Sequence, residues 1–271
     1  MIGLCGVVGV CMPFPLLFRF KFRFTNRQLL LNAALGIALC NLLCMHVQSI
    51  PVLCVISFIA GFLKLCGTFE CMSNIQLWMA PGRDFSIFFP LLYMIVIGCM
   101  NMSSWIANQL TYHLGSWMMM HWFMIGLLLI VALTVSVLTR NVRLMPKVPM
   151  ISVDWLGCVL WSLFLLEGIW IFTYGEYYNW FDSNVFRTVC VAWPVTLAIC
   201  IARMRHIRHP FIDPAAFKYR NLYPVLGLFL VLEVMCATPK SLQNVFTSAV
   251  LGYGAMTTAR FSLCELFGTL F

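Results

Sequence analysis

Eight stretches of this chain, most of them close to twenty residues or longer and apolar on every face, are joined by short polar connections. They fall near 2–18, 28–46, 51–79, 85–109, 117–139, 155–174, 187–203 and 222–240, and a ninth begins near 258 and runs to Phe271. A bilayer core about 30 Å thick needs ~20 apolar residues of helix. A helix that is apolar all round has no face to offer water. Soluble domains carry roughly 25% charged residues, whereas this chain has 10% charged and 62% hydrophobic residues, so most of its surface must face lipid. The expected fold is an all-α, polytopic transmembrane helical bundle of about eight full spans plus a truncated ninth.

The connections carry the orientation. RFKFRFTNR at 19–27 interleaves cations with phenylalanines, a pattern that elsewhere grips single-stranded nucleic acid. Its place between two apolar runs points instead to a loop held at a membrane surface. Connections 19–27, 80–84, 140–154 and 203–221 hold 13 of the 17 Lys and Arg, and the alternate connections 47–50, 110–116, 175–186 and 241–257 hold none. Cations on every second loop are what the positive-inside rule produces. The basic loops are therefore expected to be cytoplasmic, in a cell (inner) membrane, with the lipid bilayer as first partner and nucleic acid excluded. The first span then runs from outside to inside. No basic segment precedes it as in a signal peptide, and FSLCELFGTLF ends without a closing charge, so both ends read as truncated.

Enzyme and metal classes find little support. The thirteen cysteines lie mostly inside apolar runs and form no CxxC pair, so they read as small buried hydrophobes with no metal site and no cofactor. His206 and His209 make an isolated HxxH, and GxSxG, Walker A and HExxH motifs are missing. A membrane-embedded transferase would need a polar cluster at one face. Asn101-Met-Ser has the form of a glycosylation acceptor but falls within a span. WMMMHWF at 117–123 reads as an interfacial belt, with substrate stacking on Trp117 or Trp122 as the functional alternative.

Charges inside spans cost about 2.5–3.5 kcal/mol at mid-helix on insertion scales, so they tend to face a cavity or a partner. Lys64 and Glu70 in the third span, Glu167 in the sixth and Glu233 in the eighth are the candidates. Six residues at about 100° each leave Lys64 and Glu70 about 120° apart, so they need not pair. Glu70, with Asn74 on the same helix, reads as a proton carrier that releases its proton when a cation binds. The structural alternative is a network in which Lys64 is neutralised by a glutamate of a neighbouring helix. Asn101 and Ser104 in the fourth span line either a helix interface or an aqueous cavity.

VDWLGCVLW, running on to GEYYNWFDS at 175–183, resembles the extra helix pair of fourteen-span drug:proton antiporters of the EmrB/QacA type, a branch of the major facilitator superfamily. HPFIDPAAFKYRN at 209–221 is similar to the entry into that family's next helix, and VLGYGAMTTA at 250–259 to its following loop. These stretches cover about 120 residues. KFRFTNR at 21–27 sits where the family's gating-loop motif stands; Arg23 and Arg27 fit it, and Arg19 and Lys21 join them in the basic loop. The family's embedded arginine position falls at about Gly61.

The resemblance implies a major-facilitator-type fold. It divides the chain into a partial N-terminal bundle at 1–139 (family helices two to six), two extra linker helices at 140–208, and the start of a C-terminal bundle at 209–271. It implies a monomeric secondary transporter exchanging protons for a small hydrophobic or cationic substrate, not an enzyme, with a periplasmic adaptor as partner by resemblance alone. The alternative is a non-transporting paralogue or membrane sensor whose charges only pack helices.

Overall fold

The computed structural model describes residues 1–12, 16–17, 21, 23–79, 85–141, 154–207, 210–220, 222–254, 257, 260 and 264. Their regular secondary structure is helical, without a strand among them. In chain order the helices are α1 (Ile2–Cys11), α2 (Asn26–His46), α3 (Ile50–Met79), α4 (Phe85–Leu114), α5 (Trp117–Leu138), α6 (Trp155–Tyr174), α7 (Asn184–His206) and α8 (Leu222–Val245). Each of the eight apolar stretches thus contains a helix, although α1 has ten residues where the sequence predicts a span over 2–18.

Among the described residues, five helical segments are long and apolar enough to cross a membrane: Asn26–His46, Ile50–Leu77, Met118–Leu138, Trp155–Tyr174 and Asn184–His206. Only 11–28% of each is buried within the molecule, so the apolar remainder faces outward. In water that exposure would be untenable, and in lipid it costs nothing. The protein is an all-α, membrane-embedded helical bundle.

Local chemistry sets the helix starts. Thr25 caps α2 by accepting from the Gln28 backbone N–H at 3.3 Å, while Gln28 Oε1 accepts from the Thr25 N–H at 3.4 Å, a complete capping box. Helix α2 therefore opens at Asn26, and Arg27, expected in the loop, lies in its first turn. Asp154 caps α6 by accepting from the Gly157 N–H at 2.9 Å. Between α4 and α5, Gly115 takes φ +63°, a left-handed value that glycine adopts freely where a helix stops. Asn179 and Trp180 also have positive φ, and the Trp180 N–H bonds to the Gly175 carbonyl at 2.8 Å, which folds GEYYNW into a tight link from α6 to α7.

The described residues fall into two compact units. The first comprises Met1–Asn74 and Met124–Pro214. Here α1 runs parallel to α3 at very short range: a Cβ built on Gly9 would lie 2.2 Å from the Phe58 carbonyl oxygen, and one on Gly61 2.2 Å from that of Gly6. Small residues let two membrane helices approach this closely. Gly61, where the resemblance sets an arginine, has no room for a side chain. Helix α2 lies antiparallel to α3, with Ala33 against Gly67 and Gly36 against Leu63.

Val8, Met12 and Leu16 pack with Cys158 and Phe211, while the Met1 amino group donates to the Tyr174 hydroxyl at 2.8 Å, so α1 runs antiparallel to α6. Helices α6 and α7 are antiparallel too, joined at one end by Asp154 and Arg203 and at the other by Trp170 against Phe186. One end of this unit therefore collects Lys21, Arg23, Arg27, Arg203, Arg205 and His206, and the other carries the cation-free 175–186 link. The charge alternation read from the sequence becomes a basic end and a neutral end.

The second unit comprises Ile75–Phe123 and Ala215–Phe271. Helix α4 contains Pro90, and α8 passes into a wider π turn at Phe246–Val250, where Thr247 is buried. Tyr223, near the start of α8, donates to the Phe217 carbonyl at 2.9 Å.

Candidate functional site

Two carboxylates within the spans of the first unit are the centres of interest. Glu70, 1% exposed, lies on α3 toward the basic end. Its Oε1 accepts from Asn74 Nδ2 at 3.2 Å, one helical turn on. Its Oε2 is buried without a hydrogen-bond partner, and Lys21 Nζ stands 3.9 Å from it. The same ammonium donates to Ser73 Oγ, which in turn donates to the Glu70 carbonyl at 3.0 Å, and it rides 5.6 Å from the centre of the Phe69 ring. Burial pulls the Lys21 amine below its ordinary range and the Glu70 charge pushes it partly back.

The basic loop and the buried carboxylate, expected as separate devices, are thus one device: a loop cation plugged into the end of α3. Glu70, Asn74 and Lys21 come together; Lys64 does not join them. It is exposed on α3, and among the described residues the ion pairs are Lys21–Glu70 and Arg203–Asp154. Among the described residues, the cation that meets a span glutamate is thus Lys21 from the loop. Arg23 is exposed and Arg27 half-buried. Arg19 lies outside the described residues, as do the side chains of Asn101, Ser104, Glu233 and Trp117; the Trp122 side chain is half exposed.

Glu167 occupies a different setting. It sits on α6, closer to the neutral end, half-buried, and its Oε2 is enclosed without a hydrogen-bond partner. It lines a cavity of about 520 Å³ whose walls come from α1 (Leu4, Cys5), α6 (Trp170, Tyr174), Tyr178 in the link and Val185 on α7. Trp170 is held between neighbouring rings, with centroids 5.9 Å from Tyr174, 5.4 Å from Tyr178 and 5.7 Å from Phe186. Beside Glu167, Gly168 lets the Trp193 indole press against α6, where its Nε1 is buried and unbonded.

A third carboxylate shows what full satisfaction looks like. Asp154 takes Arg203 through a fork, Nη2 to Oδ1 at 2.7 Å and Nε to Oδ1 and Oδ2 at 3.1 and 3.3 Å, besides capping α6. Burial alone would raise its carboxyl, but the Arg203 guanidinium and the Gly157 and Phe211 backbone donors hold it below the usual carboxylate range. Nothing in the sequence tied 154 to 203, and Ser73 and the aromatic cavity also escaped notice. The capping box TNRQ was the one missed element with a readable signal.

Of the cysteines, Cys40, Cys66, Cys158 and Cys200 are buried as expected, while Cys11, Cys71, Cys99 and Cys264 are exposed. No group of three metal-type ligands occurs among the described residues. The chain matches no protein-family model and no curated protein. A membrane-embedded helical bundle thus holds one carboxylate clamped by a loop cation and another facing an aromatic-walled cavity.

Proposed function

We propose that this chain belongs to a multi-pass secondary transporter of the major facilitator superfamily, related to the fourteen-span drug:proton antiporters, that couples proton movement to export of hydrophobic or cationic compounds. The observation that carries the reading is the Lys21–Glu70 pair. Ionisable groups buried in membrane spans are costly and mark ion or proton pathways, and here the carboxylate meets a lysine from the loop that the resemblance makes a gate. Protonation of Glu70 would release Lys21, and with it the loop, so that a proton arriving at α3 is felt at the basic end. Substrate would bind between helices near mid-membrane, and rocking of the bundle would alternate access. The small molecule and protons are the partners; the basic loops would be cytoplasmic and the membrane the inner one.

Dye export from cells or vesicles carrying the protein, driven by a proton gradient, tests this. Glu70→Gln keeps the bond to Asn74 but removes the charge, and export is expected to fall more than about 10-fold; Lys21→Ala should export without the usual pH dependence. Export unchanged in Glu70→Gln would remove the coupling role. No gradient-driven export of any cation or dye would favour the non-transporting paralogue, in which the Lys21–Glu70 contact only ties a loop to a helix. Sidedness is checked separately with single cysteines in a cysteine-free background: positions 23 and 205 should react with a membrane-impermeant maleimide from one side, position 181 from the other. All three reacting from one side would overturn the orientation.

A further inference from the structure

We infer that the α1–α6–α7 cavity is a binding site for a primary ammonium carried on an apolar tail. The inference does not depend on transport. The cavity's volume of about 520 Å³ falls within the range of sites for drug-sized ligands, and its walls are apolar and aromatic apart from a few polar groups. One of those is the Glu167 carboxylate, one oxygen of which has no hydrogen-bond partner in the protein. An enclosed carboxylate oxygen needs a donor, and the fitting donor is a cation.

The walls favour a particular cation. Trp170, fixed by its three ring neighbours, offers an aromatic face of the kind that attracts cations. Glu167 and the hydroxyls of Tyr174 and Tyr178 offer acceptors, which a primary ammonium with its three N–H donors can use and a quaternary one cannot. Leu4 and Val185 leave room for an alkyl chain. The same chemistry fits a long-chain amine from solution or the ethanolamine headgroup of a membrane lipid.

The experiment is saturation binding of radiolabelled dodecylamine to the full chain in phosphatidylcholine nanodiscs, with dodecyltrimethylammonium and dodecanol as competitors. Saturable binding is expected, with Kd rising at least 10-fold in Glu167→Gln and several-fold in Tyr174→Phe, while Glu176→Gln in the exposed link leaves it unchanged. Should Glu167→Gln fail to fold, Tyr174→Phe and the competitors still decide. Displacement by the quaternary amine or by dodecanol as effective as by unlabelled dodecylamine would overturn the proposal, as would an unchanged Kd in both variants. Nanodiscs doped with phosphatidylethanolamine separate the two sources: weaker apparent amine binding there identifies the lipid headgroup as natural occupant, and unaltered binding identifies a free amine. Either result supports the ammonium site.

Discussion

Glu70 and Glu167 are both acidic residues within apolar helices, and both bury an Oε2 without a hydrogen bond. They differ in what surrounds them. Glu70 is enclosed, bonded to Asn74, and has an ammonium 3.9 Å away; Glu167 is half-buried at a cavity wall, with no ion-pair partner among the described residues. The first carboxylate is matched by its own chain, and the second is left for something else to match. A carboxylate in a membrane span therefore means little by type alone; the difference lies in whether a cation from an adjoining loop can reach it.

Stability measurements can break or sharpen this contrast. The largest effect is expected for Glu70→Ala, which strands Lys21 in a largely buried site and should cost about 3 kcal/mol in denaturant unfolding. Adding Lys21→Ala should recover part of that loss, and a double-mutant cycle with no coupling would dissolve the pair. Gly9→Ala comes next. Its new methyl would meet the Phe58 carbonyl oxygen at 2.2 Å, so α1 must leave α3 at a cost of about 2 kcal/mol. A change well under that would mean that α1 and α3 are less closely packed.

Asp154→Ala follows, removing a cap and a forked ion pair for about 1.5 kcal/mol. Because the folded carboxyl sits below its ordinary value, this contribution is fully present at neutral pH and is lost as the pH falls through about 4 and below. The variant's deficit against the parent should shrink in that window; a deficit constant with pH would point to packing instead. The smallest effect is expected for Glu167→Leu, within about 0.5 kcal/mol or slightly stabilising, since an unmatched carboxylate gives its own fold nothing. A loss as large as that of Glu70→Ala would erase the distinction.

Much of the architecture was legible in the sequence, because the bilayer demands long, uniformly apolar helices and the cations mark their ends. All eight apolar stretches contain a helix, and the alternating loop charge reappears as one basic end in the first unit. Glu70, Asn74 and Lys21 could each be singled out as residues at odds with their surroundings. Their association could not, since a lysine in a loop and a glutamate about fifty residues later share no local pattern. Lys64 drew attention by lying deep in an apolar run, yet its place on an exposed helix face follows from packing, not from spacing.

The cavity was less legible still. Its walls join α1 to α6 and α7 across more than 150 residues, and tryptophan and tyrosine are too common at membrane interfaces to mark a site. The capping box of α2 was readable, but the apolar runs drew the boundary two residues further on, at 28.

The contrast between the two carboxylates is tested most directly by chemical labelling. Dicyclohexylcarbodiimide, an apolar carboxyl reagent, is added to the protein in its bilayer, and adducts are located by mass spectrometry. The expected result is an adduct on Glu167, reached through its cavity, with Glu70 spared until Lys21→Ala frees it. Equal labelling of Glu70 and Glu167 in the unaltered protein would contradict the account.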